Sequence, residues 1–411
     1  MKILLVSSFL PYPLFSGGHI RLYNIVKGLS KNNEITLVCE KRDYQTKEDI
    51  KEVEKFCKKI ISFERKTQWS FGNIIKTGFS LSPFLMVGHT IPAMKVELRE
   101  LLKREYFDLI HVETSYVMQN LPKTQVPIVL VEHNIEYLVY ERFVKNAPLP
   151  LRPLLYLDVF KLKLCEESMW KRAAKLVAVS EVDKKVMNRI KKDVQIVPNG
   201  VDITKFKIHS DQIGTKLKID GEKRVLFIGD FKWIQNTDAI EWILKEIWPL
   251  ISSKFKVQSS KLMLWVVGRK IPQDIKDLGD DSVIFDENAP KETELIYQKS
   301  NIVLTPIRVG GGTSYKILEG MASGVPVVTT PLGNAMNAKE NSEIVIAKTS
   351  EDFVRSIKKL LEDEKFYETI SANARKLVEE KYDWRNIVRK LEAVYKSANR
   401  DAEIHSTSSG S

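Results

Sequence analysis

Two cations bracket three glycines in Arg308-Val309-Gly310-Gly311-Gly312-Thr313-Ser314-Tyr315-Lys316, and Glu319 follows three residues later. Glycines let a backbone approach a ligand closely, and the free amides at a helix start attract an anion. The hydroxyls of Thr313 and Ser314 add donors. The chemistry this favours is capture of a diphosphate, with Arg308 and Lys316 converging on it from either side of the turn. Glu319 falls on nearly the same helix face as Lys316. A carboxylate there repels phosphate but accepts hydrogen bonds from a ribose diol. The plainer reading of the pair is a surface salt bridge beside a loop.

A second glycine pair stands in Phe15-Ser16-Gly17-Gly18-His19-Ile20, again between a strand candidate and a helix candidate. Three histidines lie at or beside such points: His19, His111, and His133 in Glu132-His133-Asn134, of which His133 is best placed for a ligand crevice. Ligands of doubly wound domains bind at the C-terminal ends of the strands, where both glycine turns fall. No G-x-G-x-x-G fingerprint, zinc-peptidase helix, serine nucleophile elbow or P-loop lysine occurs, which argues against nicotinamide, peptidase, hydrolase and NTPase chemistry. Cys39, Cys57 and Cys165 are widely spaced and form neither a disulfide framework nor a zinc pattern. No metal and no cofactor is expected, and a reducing, cytoplasmic setting fits best.

These residues need strands and helices to hold them. Short runs of Val, Ile and Leu alternate with longer amphipathic stretches through the chain, the pattern of parallel sheets covered by helices. The first set of strand candidates is 2–7, 35–39, 109–112, 128–132, 176–179 and 195–197; the second is 225–228, 262–267, 283–285, 302–305 and 325–329. Each set makes one doubly wound α/β domain. Pro198-Asn199-Gly200 punctuates the chain between them, giving domains of 1–202 and 203–382. Residues 383–398 read as a helix, and the polar residues 401–411 as a flexible tail.

Of 411 residues, 43% are hydrophobic and 28% charged, an ordinary globular balance. The N-terminus is apolar for only four residues, Ile3 to Val6, too short for a signal peptide, and no long apolar run spans a membrane. The net charge of +11 is unevenly spread: residues 1–200 hold 32 Lys and Arg against 22 Asp and Glu, the remainder 32 against 31. The first domain is therefore expected to face something anionic. Residues 66–94, with Trp69, Phe71, Phe79 and Phe84 among glycines and serines, read as a loop-rich apolar insertion. With the basic run from Lys161 to Lys192, that insertion suits an anionic membrane surface at the inner face or a pocket for a lipid acceptor, the plainer reading being that it packs on its own domain; no nucleic-acid recognition module is visible.

Taken together, Ser16-Gly17-Gly18, Val179-Ser180-Glu181, Pro198-Asn199-Gly200-Val201-Asp202 and the run from Arg308 to Val328 resemble the retaining nucleotide-sugar glycosyltransferases of family four, from Met1 to about Ala398. The resemblance implies the GT-B fold, two Rossmann-like domains facing each other across a cleft, the first on the acceptor side and completed by the helix of 383–398 crossing back onto it, the second binding the donor. It implies transfer of a sugar from a nucleoside diphosphate sugar to an anionic, glycan or lipid-linked acceptor of cell-envelope or polysaccharide type, without metal. Gly17 and Gly18 would then approach the donor phosphate, and His133 would orient the sugar. Arg308, Lys316 and the segment Gly310, Gly311, Gly312, Thr313 and Ser314 would hold the diphosphate, and Glu319 the ribose.

The chain departs from that family twice. Gly311 stands where the first of a glutamate pair is usual, and Asp230 and Gln235 stand where a phosphate-binding Arg and Lys are usual, leaving Lys232 as their substitute. Those departures keep two other readings open, a catalytically silent binding protein of the same fold and a nucleotide-sugar 2-epimerase.

Overall fold

The computed structural model describes residues 1–65, 67–145, 147–206, 222–255, 262–290, 292–308 and 313–408. The chain divides into two units, one of Met1–Pro198 with Ile387–Ser411, the other of Asn199–Asn386.

In the first unit the strands are β1 (Lys2–Ser7), β2 (Glu34–Lys41), β3 (Lys59–Glu64), β4 (Leu109–Glu113), β5 (Ile128–Glu132), β6 (Lys175–Ala178) and β7 (Gln195–Ile196). They pair in the order β3-β2-β1-β4-β5-β6-β7, all parallel. Every residue of β4 and β5 is buried, as expected of strands covered on both faces by crossover helices. The order reverses at β1, whose Ser7 lies opposite Cys39 on one side and Glu113 on the other. A ligand crevice is therefore expected at the C-terminal ends of β1 and β4.

The second unit repeats the plan with β8 (Lys223–Asp230), β9 (Leu262–Arg269), β10 (Val283–Asp286), β11 (Ile302–Thr305), β12 (Val327–Thr329) and β13 (Val345–Ile346). Their order is β10-β9-β8-β11-β12-β13, again all parallel. Here the reversal lies between β8 and β11, paired through Ile302 and Val225. Two apolar clusters pack its sheet, one around Phe227, Ile243 and Phe353, the other around Leu318, Met321 and Tyr297.

Several sequence expectations shift. The chain enters the second unit at Asn199 rather than after Asp202. Val201 N–H donates to Tyr382 O at 2.8 Å, and Gly200 lets Trp384 approach so closely that a Cβ there would sit 2.8 Å from the indole. Strand β3 joins the first sheet at its edge, and residues 66–94 contain two helices, Phe71–Gly78 and Phe84–Gly88, rather than loop alone. The expected flexible tail is corrected for 401–408. The last helix runs from Trp384 to Ser408, and within it Asp401 pairs with Lys175 at 2.8 Å. Residues 409–411 lie outside the described residues. No described helix is long and apolar enough to cross a membrane.

Candidate functional site

In the first unit, the Gly17–Leu29 helix starts just past β1, with Ser16 as its N-cap and Gly17 and Gly18 in its first turn. The Ser16 hydroxyl lies 2.6 Å from His19 Nδ1 instead of capping the helix. A Cβ on Gly18 would meet Phe9 at 3.4 Å and His133 Nδ1 at 3.5 Å, so the glycine turn and His133 share one spot. His133 Nε2 lies 2.5 Å from Glu113 Oε1, at the end of β4. Glu113 is fully buried, and its other oxygen lies 2.5 Å from His111 Nε2, two residues back on the same strand face. Arg21 Nε stands 3.6 Å from Glu113, while its terminal nitrogens donate to Val197 O and Pro198 O at 2.9 and 2.8 Å. Burial alone pushes the Glu113 carboxyl up, but His133 and His111 outweigh it and hold the group far below the usual carboxylate range.

In the second unit, β11 leads to Arg308, and the Tyr315–Ala322 helix follows with Ser314 as its N-cap. No side-chain capping bond comes from Ser314, so its hydroxyl is not committed to the helix start. Thr313 is buried, and its carbonyl accepts from Asn199 Nδ2 at 3.1 Å. The Ile234–Trp242 helix after β8 positions both cations. Arg308 makes a two-pronged contact with Asp238, Nη2 to Oδ1 at 2.8 Å and Nε to Oδ2 at 3.1 Å, and its guanidinium lies 4.7 Å from the Trp242 ring. Lys316 Nζ donates to Asn236 Oδ1 at 2.8 Å, and Asn236 in turn donates to Asp230 O at 2.8 Å.

Lys316 therefore reaches across to the neighbouring helix rather than forming the surface salt bridge with Glu319. Desolvation pushes the Lys316 ammonium down to about 7, with Glu319 opposing. Burial pushes the Glu319 carboxyl up to about 7, against a hydrogen bond with Tyr297 and the charge of Lys205. Lys232 pairs with its neighbour Asp230 at 3.1 Å and lies over the Trp233 ring, and Gln235 is exposed. Gly310, Gly311 and Gly312 lie outside the described residues.

Two cations thus stand between a central parallel strand and the helix that follows it, with a glutamate one helical turn on. Residues 15–205 match the family described as glycosyltransferase family 4, and residues 222–363 the one described as glycosyl transferases group 1. The chain is a family-four glycosyltransferase.

An uncharacterized 44.6 kDa protein in the cps region of Klebsiella pneumoniae is 22% identical to this glycosyltransferase over 403 residues, 94% of this chain and 97% of that one. The capsular polysaccharide biosynthesis glycosyltransferase CapM of Staphylococcus aureus is 25% identical over 263 residues, 59% and 67% of the two chains. Among solved structures, Anabaena Alr3699/HepE in complex with UDP and glucose matches with a TM-score of 0.62 at 16% identity, covering 97% of this chain and all of that one. That likeness gives the fold, GT-B.

Within the first unit of this glycosyltransferase, Gly18 and His133 come together; within the second, Arg308 and Lys316 rest on one helix while Lys232 is held by its own turn. Sequence reasoning passed over Glu113, Arg21, Asn236 and Asp238. A signal for Glu113 was present: in Leu109-Ile110-His111-Val112-Glu113, alternate polar residues interrupt a strand that should be apolar on both faces. Asn236 and Asp238 carry no such mark, because only the adjacency of β8 and β11 brings them to Lys316 and Arg308.

Proposed function

We propose that this glycosyltransferase moves a sugar from a nucleoside diphosphate sugar to a glycan or lipid-linked acceptor of a cell-envelope polysaccharide, with retention of anomeric configuration and without a metal. The observation that carries this reading is the pair of cations Arg308 and Lys316, one after β11 and one in the helix that follows, both set by side-chain contacts with the Ile234–Trp242 helix. Cleavage of the anomeric C–O bond builds charge on the leaving diphosphate, and preorganised cations and amides at that place lower the barrier directly. Glu319 one turn further along would accept from the ribose hydroxyls. His133, fixed by Glu113, would orient the sugar, and front-face attack by the acceptor on an oxocarbenium-like species would preserve configuration.

Support for the donor class comes from Alr3699/HepE, solved with UDP and glucose, and for the acceptor class from the capsular name of the Staphylococcus aureus relative. The free Cys39, Cys57 and Cys165 fit a reducing, cytoplasmic setting. A thermal-shift panel of UDP, GDP, ADP and CDP tests the reading. A nucleotide at 100 times its dissociation constant adds about 2.7 kcal/mol of stability. Arg308→Ala should abolish the shift and cut donor turnover by about 100-fold, a single charged contact to a developing anion, and a chelator should leave turnover unchanged.

A second reading, a catalytically silent binding protein, is favoured by Asp238 and Asp230, carboxylates that already pair with Arg308 and Lys232. It forecasts no donor turnover with any nucleotide sugar, whereas release of free sugar from any one nucleotide sugar excludes it.

A further inference from the structure

Between β3 and β4 the first unit carries an apolar face that its own core does not cover. The Phe84–Gly88 helix is anchored, with Leu85, Met86 and Val87 buried and Leu162 packed beside them. The preceding Phe71–Gly78 helix buries none of its residues, and Phe79 and Leu81 beyond it are 91% and 89% exposed. This segment is nevertheless held in place. Lys161 Nζ donates to Thr77 O at 3.1 Å and Ser80 O at 2.9 Å, Gln68 donates to Phe84 O at 2.6 Å, and Asp158 accepts from the Phe84 amide at 3.0 Å. Specific bonds thus present large apolar side chains to solvent.

The partner element extends the surface. On the Arg152–Arg172 helix, Leu154, Leu157, Phe160 and Leu164 recur at three- and four-residue spacing and are all exposed, although such a stripe normally faces a core. Lys161, on the same helix, is the residue that ties the Phe71–Gly78 segment to it. Exposed apolar side chains gathered on two elements that are bonded to each other in this way mark an interaction site.

Charge identifies the occupant. Residues 66–92 and 141–167 together hold seven Lys and Arg against four acids, of which Glu166 is buried, Asp158 is engaged with the Phe84 amide, and Glu141 and Glu167 face Lys145 and Lys163, so the face keeps an excess of positive charge. A second copy of the same face would set cation against cation, since a two-fold contact pairs like with like. An anionic lipid surface accepts both features at once: apolar side chains enter the headgroup boundary while lysines and arginines meet the phosphates. We propose that this face docks the protein on an anionic bilayer, with Phe79 and Leu81 entering the interface and the Leu157 to Leu164 stripe lying along it. The proposal is independent of the transfer reaction.

Flotation of the full chain with phosphatidylglycerol–phosphatidylcholine vesicles, against vesicles of phosphatidylcholine alone, tests it. The protein should float with the anionic vesicles, less so as salt rises. Phe79→Asp/Leu81→Asp and Leu157→Asp/Phe160→Asp should each lower the partition coefficient about tenfold or more. Both pairs change exposed side chains, so the melting temperature and the nucleotide-induced shift should stay as in the parent. Brominated lipid should quench tryptophan emission in the parent and quench it less in Trp69→Phe. Absence of flotation at low salt, or flotation untouched by both pairs, overturns the proposal. So does a dimer in lipid-free solution that both pairs dissolve, which would assign the face to a second copy.

Discussion

At the scale of single residues, the Glu113 carboxylate is the fixed point of the first unit's site. Its ionised form is sustained by His133 and His111 against burial, so it accepts a hydrogen bond from His133 Nε2–H and leaves Nδ1 turned toward Gly18. Glu113→Gln removes the charge and offers a mismatched amide. Loss of a charge-assisted hydrogen bond is worth about 1.5–3 kcal/mol, or roughly 10- to 100-fold, and the loss should appear in kcat while the donor KM stays near its parent value. Unchanged kcat in a folded variant would detach Glu113 from the chemistry. The second unit gives a pH signature. On the proposed reading, nucleotide binding calls for an anionic Glu319 and a cationic Lys316, and both groups sit near 7 in the free protein, one raised and one lowered by burial. Affinity for the nucleoside diphosphate should therefore peak near pH 7, weakening below as Glu319 takes up a proton and above as Lys316 gives one up. In calorimetric titrations across pH, Glu319→Gln should flatten the acid limb and Lys316→Arg the alkaline limb, since arginine keeps its charge. A profile that neither substitution alters would refute these assignments.

At the scale of elements, close approach is bought with glycine. Gly28 lies near the end of the Gly17–Leu29 helix, and a Cβ there would fall 2.5 Å from Val388 Cγ2 on the last helix. Alanine favours a helix interior by about 0.5–1 kcal/mol over glycine, but overpacking costs about 1–3 kcal/mol, so Gly28→Ala should lower stability. Adding Val388→Ala should recover part of that loss, because the cavity it makes is where the new methyl goes; simple additivity in urea denaturation would contradict the packing argument. The same scale shows what the sequence revealed. Strands such as Lys2–Ser7 and Ile128–Glu132 were legible because central parallel strands must be apolar on both faces. The edge strand Lys59–Glu64 has only half-buried and exposed residues and is interrupted by Ser62, and the two residues of β13 are shorter than the runs that read as strands, so neither stood out in the sequence. His133 was legible from its place directly after β5. Its partner was not, because Glu113 is 20 residues away and reaches it only through the pairing of β4 with β5.

For the whole molecule, the informative feature is that the chain's last stretch completes its first unit. Ile387, Leu391, Tyr395 and Ala398 are fully buried there, and the Tyr395 hydroxyl is hydrogen-bonded to His111 Nδ1, whose other nitrogen faces Glu113. Polar tail composition concealed this beyond Ala398, since Asp401 pairs with Lys175 on β6 from within a helix that the sequence alone gives little reason to extend. Truncation of a large buried apolar side chain to alanine costs about 2–5 kcal/mol, so deleting several together exceeds the total stability of about 5–15 kcal/mol typical of a domain. Deletion of Ile387–Ser411 should therefore unfold the first unit, seen as lost amide-exchange protection across β1, β4 and β5. Protection across β8 and β11 should persist, because the second unit keeps all of Asn199–Asn386. Tyr395→Phe, which removes only the hydroxyl beside His111, should keep the fold, lower the melting temperature by the equivalent of about 1–2 kcal/mol, and reduce turnover through His111 and Glu113. A truncated chain with full protection across β4 would show that the last helix is an accessory rather than a part of the first unit's core.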